Sequence, residues 1–418
     1  METPWPPAIG KETRLIAPNK ALGIVLECVR PLGIMRKPLH DALGYCLAEN
    51  VLADRDMPPA DCSTMDGYAV RSRDLARCPC TLRMIGEVAA GSAARPRVRP
   101  GTCVRILTGA NIPPGADAIV MVEQTEEGDG LVTFQTKVPA GSNIRKRGED
   151  AKRGDVLLGK GALLGPVQIG LCSAVGKAEP RVYRRPDVAV LCTGEELRPL
   201  GVRLRTHERR DSNGLALFVA LRAYGCTNIS LDFVPDDLEA IALKANQALT
   251  EYNVLVLTGG VSVGRYDLVP EAVTQARATV RFHRVAMKPG KPTLYATLPG
   301  NRHIFGLPGN PLSAMTSFYE FVLPALRRMS GMPEKECRPT MRLPLNRPLR
   351  TEGERVKFVP AQLVWRKKGP SVRPLRSHGS ADITAGARAH GVVVVPAGNR
   401  ELPAGSVVEF RTWRAQPW

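Results

Sequence analysis

The sequence predicts a multidomain α/β plus β protein, with a central doubly wound, mostly parallel α/β domain between β-rich segments. Three observations predict it. Between Asp187 and Pro311, apolar strand-like runs alternate with helix-length segments, which is the grammar of βαβ units and a mostly parallel sheet. On either side of this stretch the chain breaks into short β-like runs punctuated by Gly and Pro. Its 418 residues also exceed what one hydrophobic core organises, and a length-based prior gives roughly three domains.

In chain order, residues 19–29 have a helical pattern, and 38–47 predict a second short helix before the extended Val51-Leu52-Ala53. A loop at 56–70 feeds a strand, and β-like runs follow at 82–85, 103–107, 118–122 and 131–134. A helix is expected at 165–175 and a linker at 181–186. The α/β stretch then predicts strands at 188–191, 229–234, 254–257 and 304–307, with helices at 213–224, 238–251, 268–277 and 311–329. After Gly331-Met332-Pro333 short strands return at 356–359, 362–365, 391–396 and 406–410. The expected domains are 1–50 with 141–184, an insertion at 51–140, an α/β domain at 185–331, and a β-rich domain at 332–418.

Composition narrows the function. Hydrophobic residues make up 44% and charged residues 23%, as in a folded globular protein. No apolar run reaches the ~18 residues of a membrane helix, and the opening Met1-Glu2-Thr3-Pro4-Trp5-Pro6-Pro7 lacks the basic and apolar regions of a signal peptide. Cytoplasm is the expectation, with no membrane partner. The ten cysteines are scattered, with Cys78-Pro79-Cys80 the one close pair and no Cys-x-x-Cys. That reads as reduced, mostly buried thiols rather than a zinc site. Six dispersed histidines give little material for a histidine-centred centre. The net charge of +18 suits polyanions or phosphorylated small molecules, and equally a solvated basic surface. With only 5% aromatics there are few stacking platforms for single strands, so no specific nucleic-acid partner is expected.

The chemistry concentrates at strand ends, where open α/β sheets bind ligands. Leu255-Val256-Leu257-Thr258 runs into Gly259-Gly260-Val261-Ser262-Val263-Gly264. Glycines there leave amides uncovered and accept positive φ, so the backbone can approach a phosphate or the polar edge of a heterocycle, although a plain tight turn would use them too. Leu307-Pro308-Gly309-Asn310-Pro311 places Asn at a helix N-cap and Pro at the first helical position, an arrangement that caps a helix and also offers free amides to an anion. Lys288 and Lys291 flank Pro289-Gly290, with Pro292 at the exit, and fit capture of a compact oxyanion as well as simple solvation. Glu195, Glu196, Asp236, Asp237 and Asp267 come from three strand ends. Any one of them could cap a helix, but several acids around an anion imply a cation between them, and carboxylate oxygens suit Mg²⁺.

Eight ordered blocks resemble the MoeA family, the molybdopterin molybdenumtransferases that include the E domain of gephyrin. They are DCSTMDGYAV (61–70), LTGANIPPGADAIV (107–120), GSNIRKRGED (141–150), LCTGEEL (191–197), RDSN (210–213), LTGGVSVGRYD (257–267), MKPGKP (287–292) and GLPGNPLSAMTSFYEF (306–321). The resemblance implies a MogA-like central domain, a β-barrel-like C-terminal domain and a homodimer with a site shared between chains. It implies insertion of molybdate into adenylylated molybdopterin, Mg²⁺-dependent hydrolysis of the phosphoanhydride, release of AMP, and transient contact with a molybdopterin adenylyltransferase. A non-catalytic molybdopterin-binding or scaffold paralogue on the same fold is the alternative.

Residue by residue, the resemblance assigns catalysis to Asp66, Thr108, Asp150, Glu196, Asp236 and Asp267, with Glu196, Asp236 and Asp267 as metal ligands. Substrate contacts fall to Gly259, Gly260, Ser262, Gly264, Pro308, Gly309 and Asn310. Lys288, Lys291, Pro292, Ser313, Arg355 and Ser380 would hold molybdate.

Overall fold

The computed structural model describes residues 15–261, 268–367 and 369–413. Its contacts divide the chain into two compact units. One comprises residues 1–48, 160–169 and 179–418, the other 49–159 and 170–178.

The larger unit holds the α/β sheet, six strands in the order Ile229–Val234, Val188–Thr193, Val254–Thr258, Arg302–Leu307, Leu294–Leu298, Thr279–His283. The first four are mutually parallel, and Leu294–Leu298 pairs antiparallel with both its neighbours, Arg302–Leu307 and Thr279–His283. The sequence reading did not separate Thr279–His283 or Leu294–Leu298 from loop. The reversal at Leu294–Leu298 is local: Leu298 pairs with Arg302 across Pro299-Gly300-Asn301, and both Gly300 and Asn301 take positive φ, the conformation a tight hairpin needs.

Strand alternation decides which face each helix covers. Val188, Val190 and Cys192 point into one core with Leu217 and Leu221 of the Asn213–Tyr224 helix. Ala189 and Leu191 point into the other with Ile241, Ala245 and Leu249 of the Leu238–Glu251 helix. Both faces of the sheet are thus buried, which is why its central strands read as unbroken apolar runs. The expected 311–329 helix is present as Pro311–Ser317 and Leu323–Met329, with a wider π turn at Phe318–Val322. Pro324 lacks the N–H that would bond back to Glu320 and so disturbs that turn.

In the same unit the C-terminal strands run Met287–Lys288, Val356–Arg366, Gly391–Val395, Val407–Thr412, Met341–Pro344, with Gly369–Pro374 also paired to Val356–Arg366. A parallel bridge links Leu345, just after Met341–Pro344, to Val372 of the branching strand Gly369–Pro374. Val356–Arg366 is one continuous strand where the sequence suggested two. Residues 181–186, read as a linker, contain the strand Arg181–Tyr183 paired with Ile34–Arg36. Of the expected 38–47 helix only a single turn forms, at Leu39–Asp41, since Pro38 starts it and Gly44 takes positive φ soon after.

The smaller unit is built on a six-stranded sheet in the order Ala118–Met121, Gly67–Val70, Thr102–Ile106, Cys80–Val88, Leu131–Phe134, Thr125–Gly128. Residues 141–159 pack in this unit, with Ile144–Arg145 paired to Cys62–Ser63 and Val156–Leu158 to Val51–Leu52.

Candidate functional site

All four parallel strands deliver residues to one cavity of about 880 Å³, a size that suits a cofactor-sized ligand. Thr193 and Thr258 end their strands, while Asp236 and Pro308 lie just beyond theirs. Gly259 and Gly260 form the turn after Thr258, with φ of 100° and 58°. A Cβ on Gly259 would lie 2.3 Å from the Thr193 carbonyl oxygen, so the absence of a side chain lets two strand ends converge.

Of the predicted substrate residues, Gly259, Gly260, Pro308, Gly309 and Asn310 line this cavity, as do Glu196, Asp236 and Pro292. Ser262, Gly264 and Asp267 lie outside the described residues. The two acids at 236–237 divide their work: Asp237 is a helix cap, accepting from the Ala240 N–H at 2.9 Å, whereas the Asp236 carboxylate faces the cavity and accepts from the Glu195 N–H at 3.3 Å. Asn310 occupies the N-cap position without capping through its side chain. Its Nδ2 donates to Ser380 Oγ at 2.9 Å, which places Ser380 next to the cavity wall.

The remaining oxyanion candidates sit elsewhere in the same unit. Lys288 is paired with Lys357 in a short parallel ladder, and Arg355 Nη1 donates to the Met287 carbonyl at 3.2 Å. Burial, then repulsion from Lys288 and Arg355, lowers the pKa of the Lys357 ammonium. Lys288, Arg355 and Lys357 therefore form a cationic cluster. Lys291 is exposed and Ser313 buried, and neither lines the cavity.

Asp66, Thr108 and Asp150 belong to the smaller unit. Asp66 Oδ1 accepts from both the Thr108 N–H and its hydroxyl, at 2.7 Å each, and these bonds hold its carboxyl below the usual range. Gly67 fixes this corner, because a Cβ there would overlap the Val120 carbonyl at 1.9 Å. Asp150 is paired with Arg145, whose guanidinium lowers its pKa.

Several cavity residues were not assigned a role from sequence: Thr193, Arg209, Arg210, Asp211, Asn213 and Thr258. The 210–213 block was visible, but its geometry was not. Asp211 accepts from the N–H groups of Gly214 and Leu215 at 2.9 and 3.1 Å, starting the Asn213–Tyr224 helix. Gly214 has no room for a side chain, with Cys192 Sγ 2.5 Å from its would-be Cβ. Arg209 and Arg210 reach the cavity because their segment pairs with Leu197–Arg198. Among the described residues no group of three or more His, Cys, Asp or Glu is placed to hold a metal. Glu196 and Asp236 are the two predicted metal ligands on the wall.

The fold and this cavity define a multidomain α/β protein with a ligand-sized site at its strand ends, carrying acids, arginines and a glycine turn. Comparison with known proteins supplies the family. Residues 16–176 match the MoeA N-terminal region (domain I and II), 189–328 a probable molybdopterin binding domain, and 342–413 the MoeA C-terminal region (domain IV). The chain belongs to the MoeA family. It is 34% identical over 376 residues to a molybdopterin molybdenumtransferase of Staphylococcus aureus (strain COL), covering 89% of each chain. It is 33% identical, with the same coverage, to the enzyme of that name from Staphylococcus epidermidis (strain ATCC 12228). Two crystal structures of the molybdopterin biosynthesis MoeA protein from Pyrococcus horikoshii superpose with TM-scores of 0.76 and 0.81, at 31% and 26% identity, covering 96% of this chain and all of theirs.

Proposed function

We propose that the protein is a molybdopterin molybdenumtransferase of molybdenum cofactor biosynthesis, which inserts molybdate into adenylylated molybdopterin while water cleaves the phosphoanhydride and AMP leaves. The observation that carries this reading is the cavity at the four parallel strand ends, with Glu196 and Asp236 facing the same space as the Gly259-Gly260 turn. Hard carboxylate oxygens suit Mg²⁺, which keeps several waters and so does not need a full protein cage. Glu196 and Asp236, joined by Asp267, would hold it. Bound there, Mg²⁺ would supply charge neutralisation on the phosphates.

The chain's own residues do the rest. The glycine turn admits the nucleotide-pterin backbone to backbone, and the amides ahead of Pro311 favour an anion. Lys288 and Arg355 would capture the oxyanion, with Lys291, Pro292, Ser313 and Ser380 orienting it. Asp66, Thr108 and Asp150 would complete the site from a second copy in a homodimer. We also propose a barrel-like closure of the C-terminal strands and transient delivery of substrate by an adenylyltransferase.

Incubating the purified protein with adenylylated molybdopterin, molybdate and Mg²⁺ tests this. AMP release that EDTA abolishes is expected. Substrate binding with no AMP release, where a working transferase turns over, would overturn catalysis in favour of the scaffold reading.

A further inference from the structure

Two buried polar atoms of residues that line the cavity, Asn213 Oδ1 and Thr193 Oγ1, have no bonding partner among the described residues. They are not surface groups solvated in passing: Asn213 is 8% exposed and Thr193 4%. Nor is the orientation of the Asn213 amide free. Its Nδ2 lies 2.8 Å from the Gly309 carbonyl oxygen and 2.9 Å from Thr258 Oγ1. A carbonyl can only accept, so the nitrogen end must face Gly309. Both amide N–H groups are thereby used, and the oxygen end is left as a buried acceptor without a donor.

Buried polar groups in native structures are nearly always paired, and each exception calls for a reason. Eight such atoms occur among the described residues, and these two belong to residues that line one cavity. An ionised phosphate or an oxyanion is the wrong occupant for Asn213, because it too offers only acceptors. The position needs a hydrogen-bond donor, such as an N–H.

We infer that Asn213 and Thr193 recognise the N–H edge of a heterocycle, with Asn213 Oδ1 accepting a ring or exocyclic N–H and the Thr193 hydroxyl bonding the polar atom beside it. This rests on the reading of the cavity as the substrate site, and it fixes which end of the substrate lies on that wall. The heterocycle binds at Asn213. Two parts of the proposed substrate have such an edge, the pterin and the adenine. Asn213 is a specificity residue on either assignment, since a site built to bond an N–H rejects an analogue lacking it.

The test uses the full chain and two ligand pairs, pterin with 3-N-methylpterin and AMP with its 6-N,N-dimethyl derivative, titrated by fluorescence or calorimetry. Wild type should bind one parent at least ~10-fold more tightly than its methylated partner, and Asn213→Ala should erase that ratio. The pair that discriminates names the ring. Thr193→Val keeps the shape and removes only the orphan hydroxyl, so it should raise the melting temperature of the free protein while weakening the same ligand. If neither parent binds wild type more tightly than its methylated partner, the inference is overturned and the transferase reading stands. A Thr193→Val protein that melts lower than wild type has the same consequence. Failure of both parents to bind wild type would overturn the substrate assignment itself.

Discussion

Two adjacent glycines form the turn at the cavity, and the structure says they are not equivalent. Gly259→Ala puts a Cβ 2.3 Å from the Thr193 carbonyl oxygen and 2.7 Å from Thr193 Oγ1, at φ of 100°. The carbonyl belongs to a central strand and has little freedom to move. The left-handed backbone costs about 1–2 kcal/mol, and forcing a methyl into packed surroundings adds about 1–3 kcal/mol, for a total of about 2–5 kcal/mol. Gly260→Ala is milder: its φ of 58° lies in the left-handed helical well, and its nearest contacts are side-chain atoms, Thr193 Oγ1 at 3.1 Å and Val269 Cγ2 at 3.3 Å. About 1 kcal/mol is expected there. Urea denaturation should show a large midpoint drop for Gly259→Ala at unchanged m and a small one for Gly260→Ala. Gly259→Ala should also lose ligand binding, because the strands must part to admit the methyl. If the two variants are equally stable, the close approach of the strand ends is not what holds this turn.

Three further outcomes are expected. Stability should fall on acidification because of His303, which is 1% exposed and which burial pushes down to about 4. Unfolded, it titrates near 6.5, so its contribution is fully present above that pH and is lost as pH falls toward 4, by about 3 kcal/mol. His303→Gln should flatten urea midpoints measured between those two values. Arg411→Met should cost about 3–5 kcal/mol, because Glu320, 1% exposed, would keep only Arg338 at 3.4 Å. Adding Glu320→Gln should restore much of that loss in thermal melts. Asp236→Asn should lower Mg²⁺-dependent AMP release on the order of 100-fold with little change in substrate affinity measured by calorimetry; an unchanged rate would remove Asp236 from the metal site.

Much of the central domain was legible because both sheet faces are buried: strands such as Val254–Thr258 read as unbroken apolar runs, and the helices Asn213–Tyr224 and Leu238–Glu251 fall where the sequence put them. The antiparallel strands Thr279–His283 and Leu294–Leu298 were not, because Arg281 and His283 interrupt the apolar pattern in an edge strand. The cavity lining was legible where a family motif or a glycine turn marked it, as with Glu196, Asp236 and the glycines. It was not where the role depends on partners far along the chain. Asn213 is one letter of a block until its Nδ2 meets Gly309, 96 positions away, and only then does its oxygen become an unpaired acceptor. Lys357 likewise has no role in the sequence reading and gains one through its pairing with Lys288.

The same partner accounting decides which acids remain available to a metal. Among the described residues four carboxylates line the cavity: Glu196, Glu208, Asp211 and Asp236. Glu208 accepts from Arg198 at 2.9 Å and from the Arg205 N–H at 2.8 Å, bonds that hold its carboxyl low. Asp211 is spent on the start of a helix. Neither Glu196 nor Asp236 has a cationic partner among the described residues, although Arg209 and Arg210 line the same cavity. On the proposed function, two carboxylates without an internal counter-ion, beside arginines that do not neutralise them, would suit a ligand that brings both signs: phosphate oxygens for the arginines and a divalent cation for the acids. A ligand of one sign would leave half of the wall opposed to it, so phosphate and Mg²⁺ should bind here cooperatively, each weakly without the other. AMP titrated with and without Mg²⁺ measures that coupling directly, and identical affinities in the two titrations would refute it.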